Sequence, residues 1–346
     1  MDNPDQQLAY CRQILPRVSR TFALGIELLQ DPLRDTVTVA YLICRILDTV
    51  EDTTSLSPGL RAEILQRAAR ELADPQRWRD CCRTIAEAFP EPDYPGDEPE
   101  LCRRASDVLA VFHQFPWSVR EAIRGPVARM ASGMAQTVQR EDTAGGLRLA
   151  TVKELEKYCY YVAGTVGEML TSLFSLDRSS ISPAIKERLG TVAIDFGLGL
   201  QLTNIIKGVT DDISRGVSYL PQQLLEECGV TLGELIKDSL DARGITVVKE
   251  LVRLTLPRLD RGLEYTLTIP AGEKDLRLFC ALPLFFAVAT LGQAGSGTVF
   301  GRGPLKISRE EVGVIHGQVD QAASDDAALR AGYLHLKQLQ DFPNTK

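Results

Sequence analysis

Apolar residues recur every three to four positions through most of the chain, a spacing that predicts helices of about ten to twenty-five residues. No segment alternates apolar and polar residues as a half-buried strand does. The breaks carry proline and glycine: "TTSLSPG" (53–59), "FPEPDYPGDEPE" (89–100), "DTAGG" (142–146), "TIPAGEKD" (268–275) and "GQAGSGTVFGRGP" (292–304). The Pro-rich acidic stretch around Tyr94 reads as a disordered surface loop. No break has the look of a long flexible linker, and no fixed repeat period is present. The pattern predicts one all-α domain over 1–346, a single helical bundle whose facing helices enclose a central apolar cavity.

Two predicted helices carry acidic faces. In "RILDTVED" (45–52) the acids follow the apolar run "TVTVAYLIC", so they sit at the C-terminal end of a helix entering the core. Asp48 and Asp52 are four apart and share a face, about 5–6 Å from each other, with Glu51 beside them. Carboxylates this close repel, and a helix C-terminus adds to the repulsion. Such a group needs either solvent or a cation. Oxygen ligands without histidine or cysteine suit Mg²⁺, which shares its shell with water and phosphate. Arg45, one turn earlier, either binds the same phosphate or pairs with an acid. A string of this kind also occurs at ordinary solvated helix ends; the apolar lead-in argues against that here.

The second face lies in "NIIKGVTDD" (204–212). Gln201, Asn204, Gly208 and Asp212 follow 3-4-4 spacing, with Lys207 and Asp211 flanking. Alone this is an ordinary polar face. Two acidic faces in one helical chain point instead to a shared Mg²⁺–diphosphate site, where the diphosphate is held as a leaving group. The carbocation left behind would need an apolar cavity to keep water away.

Composition narrows the choice. The 346 residues carry a net charge of -7, with acids and bases interspersed. No basic stripe marks a nucleic-acid surface. Eight cysteines show no C-x-x-C pair, as expected of reduced thiols in a cytoplasmic protein. The three histidines, His113, His316 and His335, are far apart and give little support to a His-based metal centre. The N-terminal residues lack the basic and apolar regions of a signal peptide. The longest apolar run, 278–292, contains Pro283 and is short for a bilayer span, so it reads as a core helix.

Six stretches together resemble the squalene and phytoene synthase family, the head-to-head prenyl synthases, over nearly the whole chain. They are "SRTFALGIELL" (19–29), "YLICRILDTVED" (41–52), "YCYYVAGTVGEML" (158–170), "LGLQLTNIIKGVTDDISRGVSYLP" (198–221), "FCALPLFFAVATL" (279–291) and "VFGRGPLKIS" (299–308). The last two resemble the reductive, squalene-forming branch. The resemblance implies an all-α isoprenoid synthase fold and two half-reactions. Two farnesyl diphosphates condense to presqualene diphosphate, which then ionises, rearranges and takes hydride from NADPH to give squalene. It implies that Asp48, Glu51 and Asp52 hold Mg²⁺ on one side, and Asn204 and Asp212 on the other, with Gln201 nearby. Arg20 and Arg45 would contact diphosphate oxygens, and Phe22, Tyr41, Val162 and Val166 would meet substrate. Tyr158 would serve proton transfer or cation stabilisation, Phe279 would line the second-step cavity, and Lys306 would meet the cofactor phosphate. An insoluble product implies peripheral contact with a membrane. Packing alone also accounts for Tyr158 and Phe279. Gly164 and Gly167 weaken a helix unless something approaches closely, and a prenyl tail fits that need.

The second acidic motif departs from the family's pattern. Gly208 stands where an aspartate is usual, Val217 where an arginine is usual, and Lys207 replaces the commoner arginine. Asp211 substitutes as ligand, Arg215 stands in for the absent arginine, or position 208 was changed to disable turnover. The alternatives to a squalene-forming enzyme are therefore two. One is a phytoene, dehydrosqualene or presqualene diphosphate synthase without the reductive step. The other is a catalytically impaired prenyl-diphosphate-binding protein.

Overall fold

The computed structural model describes residues 3–19, 21–91, 93–141, 146–236, 242–295, 305–340 and 342. Helices dominate it, as the periodicity predicts. Cα proximity divides the chain into two compact units, 1–140 with 168–182, and 141–167 with 183–346.

In the first unit the helix Leu33–Asp52 runs through the core, burying Leu42, Ile43, Ile46, Leu47 and Val50. Helices Pro58–Glu71, Ala105–Gln114 and Trp117–Gln139 pack against it. Its last turn contains no basic residue of its own, so the carboxylates of Asp48, Glu51 and Asp52 stand at the negative end of the helix. Glu71, nearly inaccessible, is held by Arg67 at 2.7 Å and Arg77 at 2.5 Å. A buried acid of this kind is tolerated because both its oxygens are paired.

The stretch around Tyr94 is not the disordered loop expected from its composition. Arg103 Nη1 donates to the carbonyls of Phe89 at 3.1 Å and Tyr94 at 2.9 Å. The Phe89 and Tyr94 rings meet edge to face at 5.4 Å, and Phe89 is buried. One buried aromatic and one arginine outweigh the proline and acid content. A short helix, Asp97–Arg103, follows directly.

The second unit is built on the 32-residue helix Pro183–Ser214, packed on Ala242–Thr268 and Lys274–Gly295. Helix Val152–Cys159 passes into a π-helical turn, Tyr160–Gly164, which also packs on Pro183–Ser214. A Cβ on Gly167 would lie 2.3 Å from the Ala193 carbonyl oxygen, and one on Gly197 would lie 2.4 Å from that of Ala163. These glycines let helix backbones touch. Gly164 faces Tyr160, Ile194 and Leu198. The expectation that Gly164 and Gly167 clear room for a prenyl tail is thus corrected: protein fills the space.

Where the sequence pattern predicts no strand, two segments form a small parallel sheet, Arg148–Leu149 beside Ser218–Pro221. Strands of two and four residues are too short for alternation to register. Lys274–Gly295 has 22 residues, and it and Pro183–Ser214 are long and apolar enough to cross a membrane. In Lys274–Ala294, 83% of the apolar window is buried within the protein, which is the mark of a core helix. Shortness, the reason expected from sequence, is not the reason. Arg277 anchors this helix: its Nε and Nη2 donate to the Ile269 carbonyl at 2.8 and 2.6 Å, and its Nη1 lies 2.7 Å from Asp326. All eight cysteines are free thiols, and all but Cys228 are buried.

Candidate functional site

The first acidic face occupies the last two turns of Leu33–Asp52. Asp48 is half-buried, Glu51 is buried and Asp52 is exposed. Burial pushes the Asp48 carboxyl up to about 7; Arg45 pulls it down and the charge of Asp52 pushes it further up. The Glu51 backbone carbonyl accepts from Arg61 Nη1 at 2.6 Å. Arg45 Nη2 donates to Glu98 Oε1 at 3.1 Å, while its Nε is buried and has no hydrogen-bond partner among the described residues. Tyr41 lies one turn before Arg45, 6.0 Å from the Phe22 ring. Burial raises the Tyr41 hydroxyl, opposed by a hydrogen bond with Ser19. The structure thus gathers Phe22, Tyr41, Arg45 and Asp48 in one neighbourhood. Arg20 lies outside the described residues.

The second face lies on Pro183–Ser214. Gln201 is half-buried, Asn204 exposed and Asp212 half-buried. Arg215 Nη2 donates to Asp212 Oδ1 at 2.6 Å, so this arginine meets the motif's last acid. Asp211 is exposed. A Cβ on Gly208 would meet only Asp212 Oδ2, at 3.7 Å, an ordinary contact, so packing does not demand glycine there. Lys207 has its ammonium acidity raised by burial and by the nearby Lys306. Lys306 is exposed, just ahead of the capping box that starts helix Arg309–Ala322; residues 296–304 before it lie outside the described set.

Tyr158 is buried at the end of Val152–Cys159. Its hydroxyl donates to that of Tyr219 at 2.9 Å, and the rings stack at 4.5 Å with 21° between planes. Val162, in the π-helical turn, and Val166, just after it, are half-buried. Phe279 is buried within Lys274–Gly295. Sequence reasoning missed Tyr219, Glu98 and Ser19. Tyr219 is 61 residues from Tyr158, and Glu98 is 53 from Arg45, so no local spacing links them. The only signal lay in the residue types: a tyrosine just before Leu220-Pro221, and an acidic run at 97–100.

The donor set of the first face fits Mg²⁺. Its ligands are oxygens, and burial, with a smaller push from the Asp52 charge, raises the proton affinity of Asp48, a cost to its ionised form that a divalent cation would offset. Among the described residues no three of His, Cys, Asp and Glu converge. The remaining positions around an ion held by Asp48 and Asp52 would fall to water and phosphate oxygens, the habit of this metal. Lys306 lies close enough to Lys207 for its charge to raise the acidity of the Lys207 ammonium, and an anionic cofactor group beside them would relieve that repulsion.

A family model described as squalene/phytoene synthase matches residues 15–309. The squalene synthase of Eremothecium gossypii is 32% identical over 286 residues, covering 82% of this chain and 62% of that protein. The squalene synthase of Candida albicans is 29% identical over 317 residues, covering 89% of this chain and 66% of that protein. The chain therefore spans a little less than two thirds of these curated relatives. A solved structure described as "The complex structure of TcSQS with ligand, E5700" has a TM-score of 0.80 at 27% identity, covering 96% of this chain and 91% of the other. A dehydrosqualene synthase in complex with ligand has a TM-score of 0.65 at 22% identity, covering 92% and 96%, a likeness of fold. These likenesses give the all-α isoprenoid synthase fold.

Proposed function

The chain belongs to the squalene/phytoene synthase family, and from that premise we propose that it is a prenyl transferase joining two farnesyl diphosphates to presqualene diphosphate and reducing this with NADPH to squalene. The observation that carries the reading is the half-buried Asp48, pushed up to about 7, one turn from Asp52. Mg²⁺ bound there would supply positive charge to the departing pyrophosphate. Glu51, Asn204 and Asp212 would supply further oxygen ligands to Mg²⁺, all within one synthase domain over 1–346. Arg45 would turn its unpartnered Nε to a diphosphate oxygen, and Arg20 would contact the diphosphate as well. Phe22, Tyr41, Val162, Val166 and Gln201 would hold the substrate. Tyr158 would face the carbocation, whose positive charge an aromatic ring and hydroxyl oxygen stabilise. In the second half-reaction Phe279 would exclude water from the reacting carbons, and Lys306 would hold a phosphate of NADPH.

The reductive finish rests on the likeness to squalene synthases and on the segment leading to Lys306. Incubation with farnesyl diphosphate and Mg²⁺, with and without NADPH, tests it by product extraction. Squalene is expected only when NADPH is present. Presqualene diphosphate or dehydrosqualene as the sole product in both arms overturns the reductive step. A second reading is favoured by Gly208, where a bare helix position stands beside an Asp212 already engaged by Arg215. It takes the chain as a prenyl-diphosphate-binding protein with impaired turnover, which would bind substrate and release no pyrophosphate. The proposed location is the cytoplasm, with the product leaving through contact with a membrane surface.

A further inference from the structure

Tyr158 is held by a partner from a distant strand. Tyr219 lies in Ser218–Pro221, whose four residues are all buried. Ser218 N donates to the Leu147 carbonyl at 3.1 Å and pairs with Arg148, which fixes the strand. Both phenol rings are nearly inaccessible, at 6% and 8% exposure. They stack at 4.5 Å while their hydroxyls bond at 2.9 Å. Directly after this point the backbone leaves α geometry for the π-helical turn Tyr160–Gly164. Such turns are rare and recur at functional sites. Tyr158 itself lies in the α-helix Val152–Cys159, and the stack and hydrogen bond with Tyr219 hold its ring and hydroxyl.

We propose that Tyr219 is a positioning residue for the reaction: its ring fixes the plane of Tyr158 and its hydroxyl fixes the direction of the Tyr158 O–H bond. The Tyr158 oxygen then presents one fixed orientation to the prenyl carbons on which charge develops. This rests on the reading that Tyr158 acts on the carbocation. Preorganised dipoles of this kind act only if they need not reorient during reaction. A phenylalanine at 219 would stack equally well, so the hydroxyl is what separates positioning from packing.

The experiment is a double-mutant cycle on steady-state pyrophosphate release from farnesyl diphosphate with Mg²⁺. Tyr219→Phe keeps the stack and removes one hydrogen bond. It is expected to lower kcat about five- to tenfold, the effect of one buried hydrogen bond, with KM changed less than about twofold. Tyr158→Phe is expected to lower kcat further. The double variant should match Tyr158→Phe alone, because Tyr219 acts through the hydroxyl that variant lacks. Tyr219→His, which retains a ring and a polar edge, should recover part of the rate. Wild-type kcat in Tyr219→Phe, or the same fractional loss in the Tyr158→Phe background, overturns the proposal. A Tyr219→His rate no better than that of Tyr219→Phe also counts against it. Wild-type turnover in Tyr158→Phe overturns instead the assignment of Tyr158, and the role of Tyr219 with it.

Discussion

Asp48 is a carboxylate whose chemistry is displaced by its surroundings. Its carboxyl titrates near 7 where an ordinary aspartate titrates at 3.8. Between those values the folded protein holds a proton that the unfolded chain has released. Stability of the metal-free protein therefore falls as pH rises from about 4 to about 7, and is level outside that window as far as this group is concerned. Thermal midpoints of metal-free protein across the window should decline with pH, and Asp48→Asn should flatten the decline. An unchanged slope in that variant would place the titration elsewhere. Spacing alone made Asp48, Asp52 and Arg45 legible as a group, since intervals of three and four residues put them on one face. Spacing said nothing of Glu98, which takes one arm of Arg45 across 53 residues, or of Tyr219. Nor did it show that Glu51 is buried while Asp52 is exposed, because burial depends on what packs over each turn.

Elements were read from periodicity, and the long helices matched it because a 3.6-residue repeat over twenty residues has no other good use. The helix Leu33–Asp52 ends where the acids end, at an extended Thr53. Three elements escaped: the two short strands and the π-helical turn. A single extra residue per turn leaves no mark in a tyrosine-rich string that reads equally well as α-helix. Gly164 and Gly167, expected to clear room for a prenyl tail, instead face protein. Gly197 sits against the Ala163 carbonyl, where an added Cβ would fall at 2.4 Å. In an exposed helix Gly→Ala stabilises by about 1 kcal/mol. Here Gly197→Ala should destabilise by about 1–3 kcal/mol, because the helix backbones must part. Urea denaturation distinguishes the two. A stabilised variant would mean that the helices stand further apart than described.

At the scale of the whole molecule, two compact units each carry one acidic face, with the tyrosine pair in the second. Composition gives little support to a nucleic-acid partner or to a histidine metal centre. It misjudged the stretch around Tyr94, where two backbone hydrogen bonds from Arg103 impose order on an acidic, proline-rich segment. The family assignment came from motifs spread across both units, and a family match over 15–309 runs through both. Gly208 remains the position where this chain parts from the pattern, and the structure gives no packing reason for it.

The account turns on whether the carboxylate face ending Leu33–Asp52 drives departure of the diphosphate. Pyrophosphate release from farnesyl diphosphate, titrated with Mg²⁺ in the wild type and in Asp48→Asn, tests that directly. Release should require Mg²⁺ and fall by about 100-fold or more in the variant, the effect of removing a main source of leaving-group stabilisation. Release that proceeds without the metal, or at an unaltered rate in Asp48→Asn, would contradict it; so would tight binding of substrate with no release at all.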